Sequence, residues 1–339
     1  MKKAFALLVN DLHINKDNIS EFVTNFEEAC SVCEDHSIDK ILIGGDLFTT
    51  RSSQALSSML AVYNCLQSAG RDKGLEIHIV NGNHDKPDLY SVNGWCNLFA
   101  HLPKVHVHDT GAAFQMSSQE MLMMLPYFPE DDKMQDVVRQ CLEETSAPEH
   151  TTLYLHSGIH GALGDFDVPH ELPTELLTPF KQVLVAHYHN RTTIKNTNIH
   201  YIGSSRAHNF GEDEEKGYTI IYTDGSTEFI KNEVNVRYVT EELAIGDLKD
   251  WKKRYDARYK VRLKIRCTAA EADIVDREEL LSRGAHKIEF VTERLKAVEQ
   301  TINIEESFDT NDLQQEYSKF CKDKKISSKL GIEYLNKIS

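Results

Sequence analysis

Apolar runs recur at regular intervals along the first half of the chain, with amphipathic polar segments between them. AFALLV (residues 4–9) leads through a polar loop to a segment, Asn18 to His36, whose apolar positions repeat at helical spacing. KILIGG is followed by a second such segment from about Ser52 to Ala69, and LEIHIV by the turn NGNHDKPD. Strand, loop and helix repeated in this way predict an α/β layer with a mainly parallel sheet. Further strands are predicted at KVHVHD, MLMMLPY, TLYLHS and QVLVAHYH, then in a β-rich run from Thr192 to Tyr238. In KVRLKIR, Lys260, Arg262, Lys264 and Arg266 alternate with Val261, Leu263 and Ile265, as a half-buried strand requires. A helix near Asp276 to Ser282, the strand HKIEFVTE and the helical NDLQQEYSKFCK complete the pattern.

The pattern changes near residue 236, and 339 residues suit about two domains. Asp11 interrupts the apolar N-terminus, so MKKAFALLVNDLH reads as a buried first strand, not an export signal. No run approaches membrane-spanning length, so no membrane role is expected. The seven cysteines are odd in number and scattered, which suits reduced thiols in a cytoplasm. Cys30 and Cys33 form a lone C-x-x-C inside the first helix and read as buried small residues. A net charge of -15 argues against a protein that coats nucleic acid by bulk charge. Locally the balance reverses, with nine bases and two acids from Lys249 to Arg266. That cationic row fits a solvated strand face and a phosphate-tracking surface equally well.

Candidate chemistry gathers where the strands end. The first ends in Asp11-Leu12-His13, the second in Gly44-Gly45-Asp46 and the third in Gly82-Asn83-His84-Asp85. Two later strands end in His156 and in His187-Tyr188-His189. Each element is common alone; their order, all at strand ends, carries the signal. Such a set suits a pair of metal ions about 3.5–4 Å apart, which can neutralise a phosphodiester and activate water near neutral pH. A pair needs a bridging carboxylate, and Asp46, framed by glycines, is the best placed. Mixed imidazole and oxygen donors favour manganese, iron or zinc over magnesium or calcium. For both imidazoles of His187-Tyr188-His189 to converge, that segment has to be a loop.

These ordered motifs resemble the calcineurin-like metallophosphoesterase superfamily. Tyr201-Ile-Gly-Ser-Ser205 and Phe210-Gly-Glu-Asp-Glu-Glu-Lys-Gly-Tyr218 resemble more narrowly the SbcD-type nuclease subunits, close to their bacteriophage recombination-nuclease relatives. The resemblance is carried by motifs in residues 1–235 and beyond them by layout alone. It implies a layered α/β/β/α sandwich over 1–235, the two-metal nuclease domain. A small α+β capping, DNA-binding domain would follow over 236–300, then a helical segment, 301–339, that binds the ATPase partner. One metal would be held by Asp11, His13, Asp46 and His189, the other by Asp46, Asn83, His156 and His187, both most simply Mn2+. His84 would contact the scissile phosphate and assist the leaving group, with Asp85 orienting it by a hydrogen bond. The family often has a histidine three positions after the bridging aspartate; this chain has Thr49, which cannot act as an imidazole acid. His101, His160, His170, His200 and His208 match no ligand position.

The resemblance further implies a DNA exonuclease on duplex ends and endonuclease on single strands, in the cytoplasm of a bacterial or phage-infected cell. Its partners would be DNA, an SMC-like coiled-coil ATPase and a second copy of the chain, met through the helix after Asp46. Leu313, Tyr317 and Phe320 lie at helical spacing and fit either that ATPase or the chain's own core. Two other readings stay open: a phosphoesterase acting on small esters, and an adaptor that clamps the ATPase dimer.

Overall fold

The computed structural model describes residues 2–88, 91–128, 133–164 and 171–292, with 317, 318, 320–322, 324, 327 and 328. In chain order it runs β1 (Ala4–Val9), α1 (Ile19–Asp35), β2 (Lys40–Ile43), α2 (Leu56–Arg71), β3 (Glu76–Ile79), β4 (Val105–Val107), β5 (Ala112–Gln115), β6 (Met121–Leu125) and α3 (Lys133–Glu144). Then come β7 (Thr151–His156), β8 (Gln182–Ala186), β9 (Thr192–Thr193), β10 (Ile199–Tyr201), β11 (Gly217–Tyr222) and β12 (Thr227–Lys231). The last elements are β13 (Arg237–Ala244), β14 (Tyr259–Cys267), α4 (Ala269–Ile274), α5 (Arg277–Ser282) and β15 (Ala285–Thr292).

Two six-stranded sheets form, in the orders β12-β11-β1-β2-β3-β4 and β5-β6-β7-β8-β10-β9. Their centres are parallel, as expected, whereas β11, β12, β5 and β9 join antiparallel at the flanks. Strand alternation builds the layers. Leu7, Val9, Ile41 and Ile43 pack with Phe22, Phe26 and Val62 of α1 and α2, while Ala6, Leu8 and Leu42 meet Tyr154, Leu184 and Ala186 of the other sheet. On the far side Leu153, Leu155, Val183 and Val185 pack with Met134 and Val138 of α3. Strands buried on both faces read as continuous apolar runs, which is why the sequence shows them so clearly. The result is the α/β/β/α sandwich.

Four of the described helices and strands were not foreseen, among them the six-residue α4, which buries no side chain. Helix α3 buries only Met134 and Val138, too thin a stripe to stand out. Strand β5 is a half-buried flank, and among β13 residues only Arg237 is buried. β13 begins one residue past the expected boundary at 236 and joins a three-stranded sheet, β13-β14-β15. Compactness divides the chain into Met1–Ile265 with Val275–Phe290, and Arg266–Ile274 with Val291–Ser339. In the second unit α4 is described, Phe320 is 53% exposed and Cys321 is buried; Leu313 lies outside the described residues, as does His170. Among the described residues no helix is long and apolar enough to cross a membrane. Cys30 and Cys33 are free and buried.

Candidate metal centre

The parallel strands of both sheets end at one edge of the sandwich, and the candidate side chains converge there. Backbone bonds continue past the strands: Asp11 N–H donates to the Gly45 carbonyl (3.1 Å), His13 N–H to that of Asp46 (3.0 Å) and Ile14 N–H to that of Leu47 (2.8 Å). The loops cross in left-handed backbone, with φ of 51° at Asp11, 45° at His13, 51° at Asp46 and 102° at His187. Non-glycine residues hold such angles only where surrounding structure enforces them, and they cluster at functional sites. Gly82 is needed for close approach, since a Cβ there would collide with Oδ1 and the backbone nitrogen of Asp46.

Asp46 is the hub. Its Oδ1 accepts from the His84 backbone N–H (2.8 Å). Its Oδ2 lies 3.6 Å from His13 Nε2 and 3.4 Å from His156 Nε2. Asp11, His13 and Asp46 form one group of metal-ligand atoms, and Asp46, His156 and His187 another, so Asp46 belongs to both. His189 joins the first group, its Nε2 3.1 Å from His13 Nε2. Asn83 joins the second, its Oδ1 3.0 Å from both His156 Nε2 and His187 Nδ1. Strand β8 stops at Ala186, and the loop expected beyond it brings both imidazoles in.

The donor set fits metal ions. Lone-pair atoms face one another across the cluster, and buried Asp11 Oδ1 has no hydrogen-bond partner. Ring hydrogen bonds suit ligation: His156 Nδ1 donates to the Gly44 carbonyl (2.9 Å), and His189 Nδ1 to Glu212 Oε1 (2.8 Å), so each Nε2 faces inward. Turning the Asn83 amide over gives an alternative closure. Its nitrogen would then donate to Asp46 Oδ2 (3.2 Å) and its oxygen accept from Arg51 (2.9 Å). Oxygen inward suits a cation, nitrogen inward a cluster closed by hydrogen bonds alone.

Electrostatics agree with this donor set. Burial pushes the His13 and His187 imidazoles down to about 3, so both are neutral and ligand-ready. Burial opposes charge on Asp46 and His156 too. Their mutual attraction wins, holding the Asp46 carboxyl well below its usual range and pushing His156 up to about 9. That proton and a metal ion compete for one place, so metal uptake would release protons.

His84 stands beside the cluster. Its Nδ1 donates to the Thr49 carbonyl (2.6 Å), which leaves Nε2 for a cleft of about 430 Å³ that His84 lines with His13, Asp46, His187 and His189. Asp85 does not orient it. That expectation is corrected: one carboxylate oxygen accepts from Phe48 N–H (2.9 Å) and the other from Gly82 N–H (2.8 Å), so Asp85 ties the second strand end to the third. Thr49 is a brace as well, its Oγ1 donating to the His13 carbonyl (2.6 Å).

Three site residues escaped sequence reasoning. His208 lies in the cleft with its ring 4.9 Å from that of His13 and 4.7 Å from that of His189, and its Nε2 donates to the Asp11 carbonyl (2.7 Å). Arg206, 1% exposed, donates to the Leu12 carbonyl (2.9 Å) and to Glu21 (2.7 Å) and so pins the Asp-Leu-His loop. Glu212 holds His189. The basic strand is less free than its alternation implied. Lys260 bonds Glu21 (3.0 Å) and Tyr238 (3.3 Å), and Arg262 bonds Thr240 (2.9 Å) and reaches Glu289 (3.5 Å). Lys264 is half-buried, and Arg266 is exposed.

The sequence profile described as Calcineurin-like phosphoesterase matches residues 6–213. No curated protein matches the chain. Among solved structures, the crystal structure of TT1561 of Thermus thermophilus is similar at 14% identity and a TM-score of 0.45, over 68% of this chain and 99% of that one. The Pseudomonas putida nuclease MPE aligns at 18% identity and a TM-score of 0.27, over 46% of this chain and 64% of that one.

Proposed function

The chain belongs to the calcineurin-like phosphoesterase family, and from that premise we propose that it is a two-metal, Mn2+-dependent DNA nuclease. One observation carries the reading: Asp46 lies in both candidate ligand groups, with His84 beside them at the cleft. When bound, the metals would neutralise phosphoryl oxygens and activate a water molecule. Asp11, His13, Asp46 and His189 would hold one, and Asp46, Asn83, His156 and His187 the other. His84, fixed at Nδ1 by the Thr49 carbonyl, presents Nε2 to the phosphate; as the imidazolium, protonated on both nitrogens, it would pass its Nε2 proton to the departing oxygen and remain neutral, still bonded to Thr49.

Support for DNA comes from the Tyr201–Tyr218 motif and from the cleft wall that β13 and β14 build with Tyr238 and Lys260. In this reading the chain works with an SMC-like ATPase in recombination and repair, engaged through the segment 301–339 that includes Leu313, Tyr317 and Phe320. It pairs with a second copy through α2, where Leu56 and Leu60 are exposed. A small-ester substrate is the second reading, favoured by the internal pairing of Lys260 and Arg262. The test is release of nucleotides from end-labelled linear duplex DNA with Mn2+, beside a small aryl phosphodiester. DNA degradation is expected. Cleavage of the small ester alone, unchanged when an SMC-like ATPase is added, would overturn the nuclease reading.

A further inference from the structure

The loop after β10 joins two parts of the fold through side chains two residues apart. Phe210 is held by all three strands of the β13-β14-β15 sheet. Tyr238 meets it edge-on at 5.0 Å, the Arg262 guanidinium lies 4.9 Å over its ring and the His286 ring is 6.1 Å away. The Phe210 carbonyl also accepts from Arg262 (3.3 Å). Glu212 turns to the metal centre. Its side chain is 6% exposed, and its Oε1 accepts from His189 Nδ1 (2.8 Å) and Asn209 (2.8 Å). Its Oε2 accepts from the His208 backbone N–H (3.1 Å) and lies 3.5 Å from Nζ of fully buried Lys216. Lys216 in turn donates to the His189 carbonyl (2.6 Å), so His189 is gripped at ring and backbone together.

A carboxylate on the far nitrogen of a ligating imidazole fixes its tautomer and direction and strengthens it as a donor. Buried acids are held in place by such partners, and Glu212 has four. We propose that Glu212 is the positioning residue for His189, and that Phe210 links this grip to the three-stranded sheet, so that movement of the sheet tunes the affinity of one metal site. The cleft supplies the trigger, because Tyr238 and Lys260 of the sheet line it together with His189. A substrate filling the cleft touches both ends of the linkage. This rests on the two-metal reading above and adds how that site responds to its substrate.

The test is Mn2+ binding by electron paramagnetic resonance and titration calorimetry on the full chain, beside the melting temperature of the metal-free protein. Glu212→Gln keeps the size but turns an amide NH2 toward the His208 N–H and Lys216. It should weaken one of two sites by about 10–100-fold and spare the other, with a modest fall in the metal-free melting temperature as Lys216 and the His208 N–H lose their acceptor. Glu212→Asp should recover part of the loss. Phe210→Leu, which contacts no ligand, should weaken the same site several-fold. Wild-type affinities at both sites in Glu212→Gln and Phe210→Leu would overturn the inference, as would equal weakening of both sites with a lowered melting temperature. Fewer than two ions on the wild-type chain would instead remove the two-metal reading itself.

Discussion

Gly82→Ala tests the geometry of the centre with a single methyl group. A Cβ at Gly82 would meet Oδ1 and the backbone nitrogen of Asp46, and would lie 2.8 Å from His156 Cε1. Carbon contacts settle at about 3.5–4.0 Å, so His156 has to recede by roughly an ångström and Asp46 by more. Metal–ligand bonds tolerate about 0.2 Å, so neither site survives such a shift intact. Overpacking of this kind costs about 1–3 kcal/mol of stability, which a folded domain can bear. A misplacement near 1 Å costs catalysis about 100-fold. The substituted protein should therefore keep its circular dichroism, unfold at modestly lower urea, bind Mn2+ weakly and lose about 100-fold or more in phosphodiesterase rate. Gly246→Ala is the control, since nothing lies within 4 Å of its Cβ position. Wild-type Mn2+ binding and turnover in Gly82→Ala would refute the close approach of the second and third strand ends on which the site depends.

Other substitutions separate the roles around Asp46. His84→Ala should retain both metals yet lose about 100- to 10,000-fold in cleavage rate, read by calorimetry beside a nuclease assay; unchanged cleavage would remove His84 from the reaction. Asp46→Ala should abolish binding at both sites, whereas His187→Ala should abolish one, and equal stoichiometry in the two would show that Asp46 does not bridge. Arg206→Ala strips the Leu12 carbonyl and Glu21 of a buried donor while Lys260 still pairs Glu21, a loss of about 1.5–3 kcal/mol in urea unfolding; a change below about 1 kcal/mol would show that the Asp-Leu-His loop holds without it.

What could be read from the sequence depended on whether a feature is local. Buried strands such as AFALLV and TLYLHS announce themselves by composition, and ligand-type residues after glycines mark their ends. The converging geometry of Asp11, His13, Asp46, Asn83, His156, His187 and His189 follows from the parallel strand order. Contacts between distant loops leave no such trace. Glu212 and His189 are 23 residues apart, and Arg206 and Glu21 are 185 apart, with nothing in either segment naming its partner. The left-handed backbone at Asp11, His13 and Asp46 is equally silent, because tertiary bonds enforce it against intrinsic preference. Alternation in KVRLKIR correctly placed Val261, Leu263 and Ile265 inside. It could not reveal that Lys260 and Arg262 are met by Glu21, Tyr238 and Thr240.

Crystals grown with Mn2+ and measured at the manganese absorption edge would show the centre itself. Two anomalous peaks about 3.5–4 Å apart, with the Asp46 carboxylate between them and Asn83 Oδ1 turned toward one, are the expected result. A single peak, or a pair that leaves Asp46 uncoordinated, would contradict a bridged two-metal phosphoesterase.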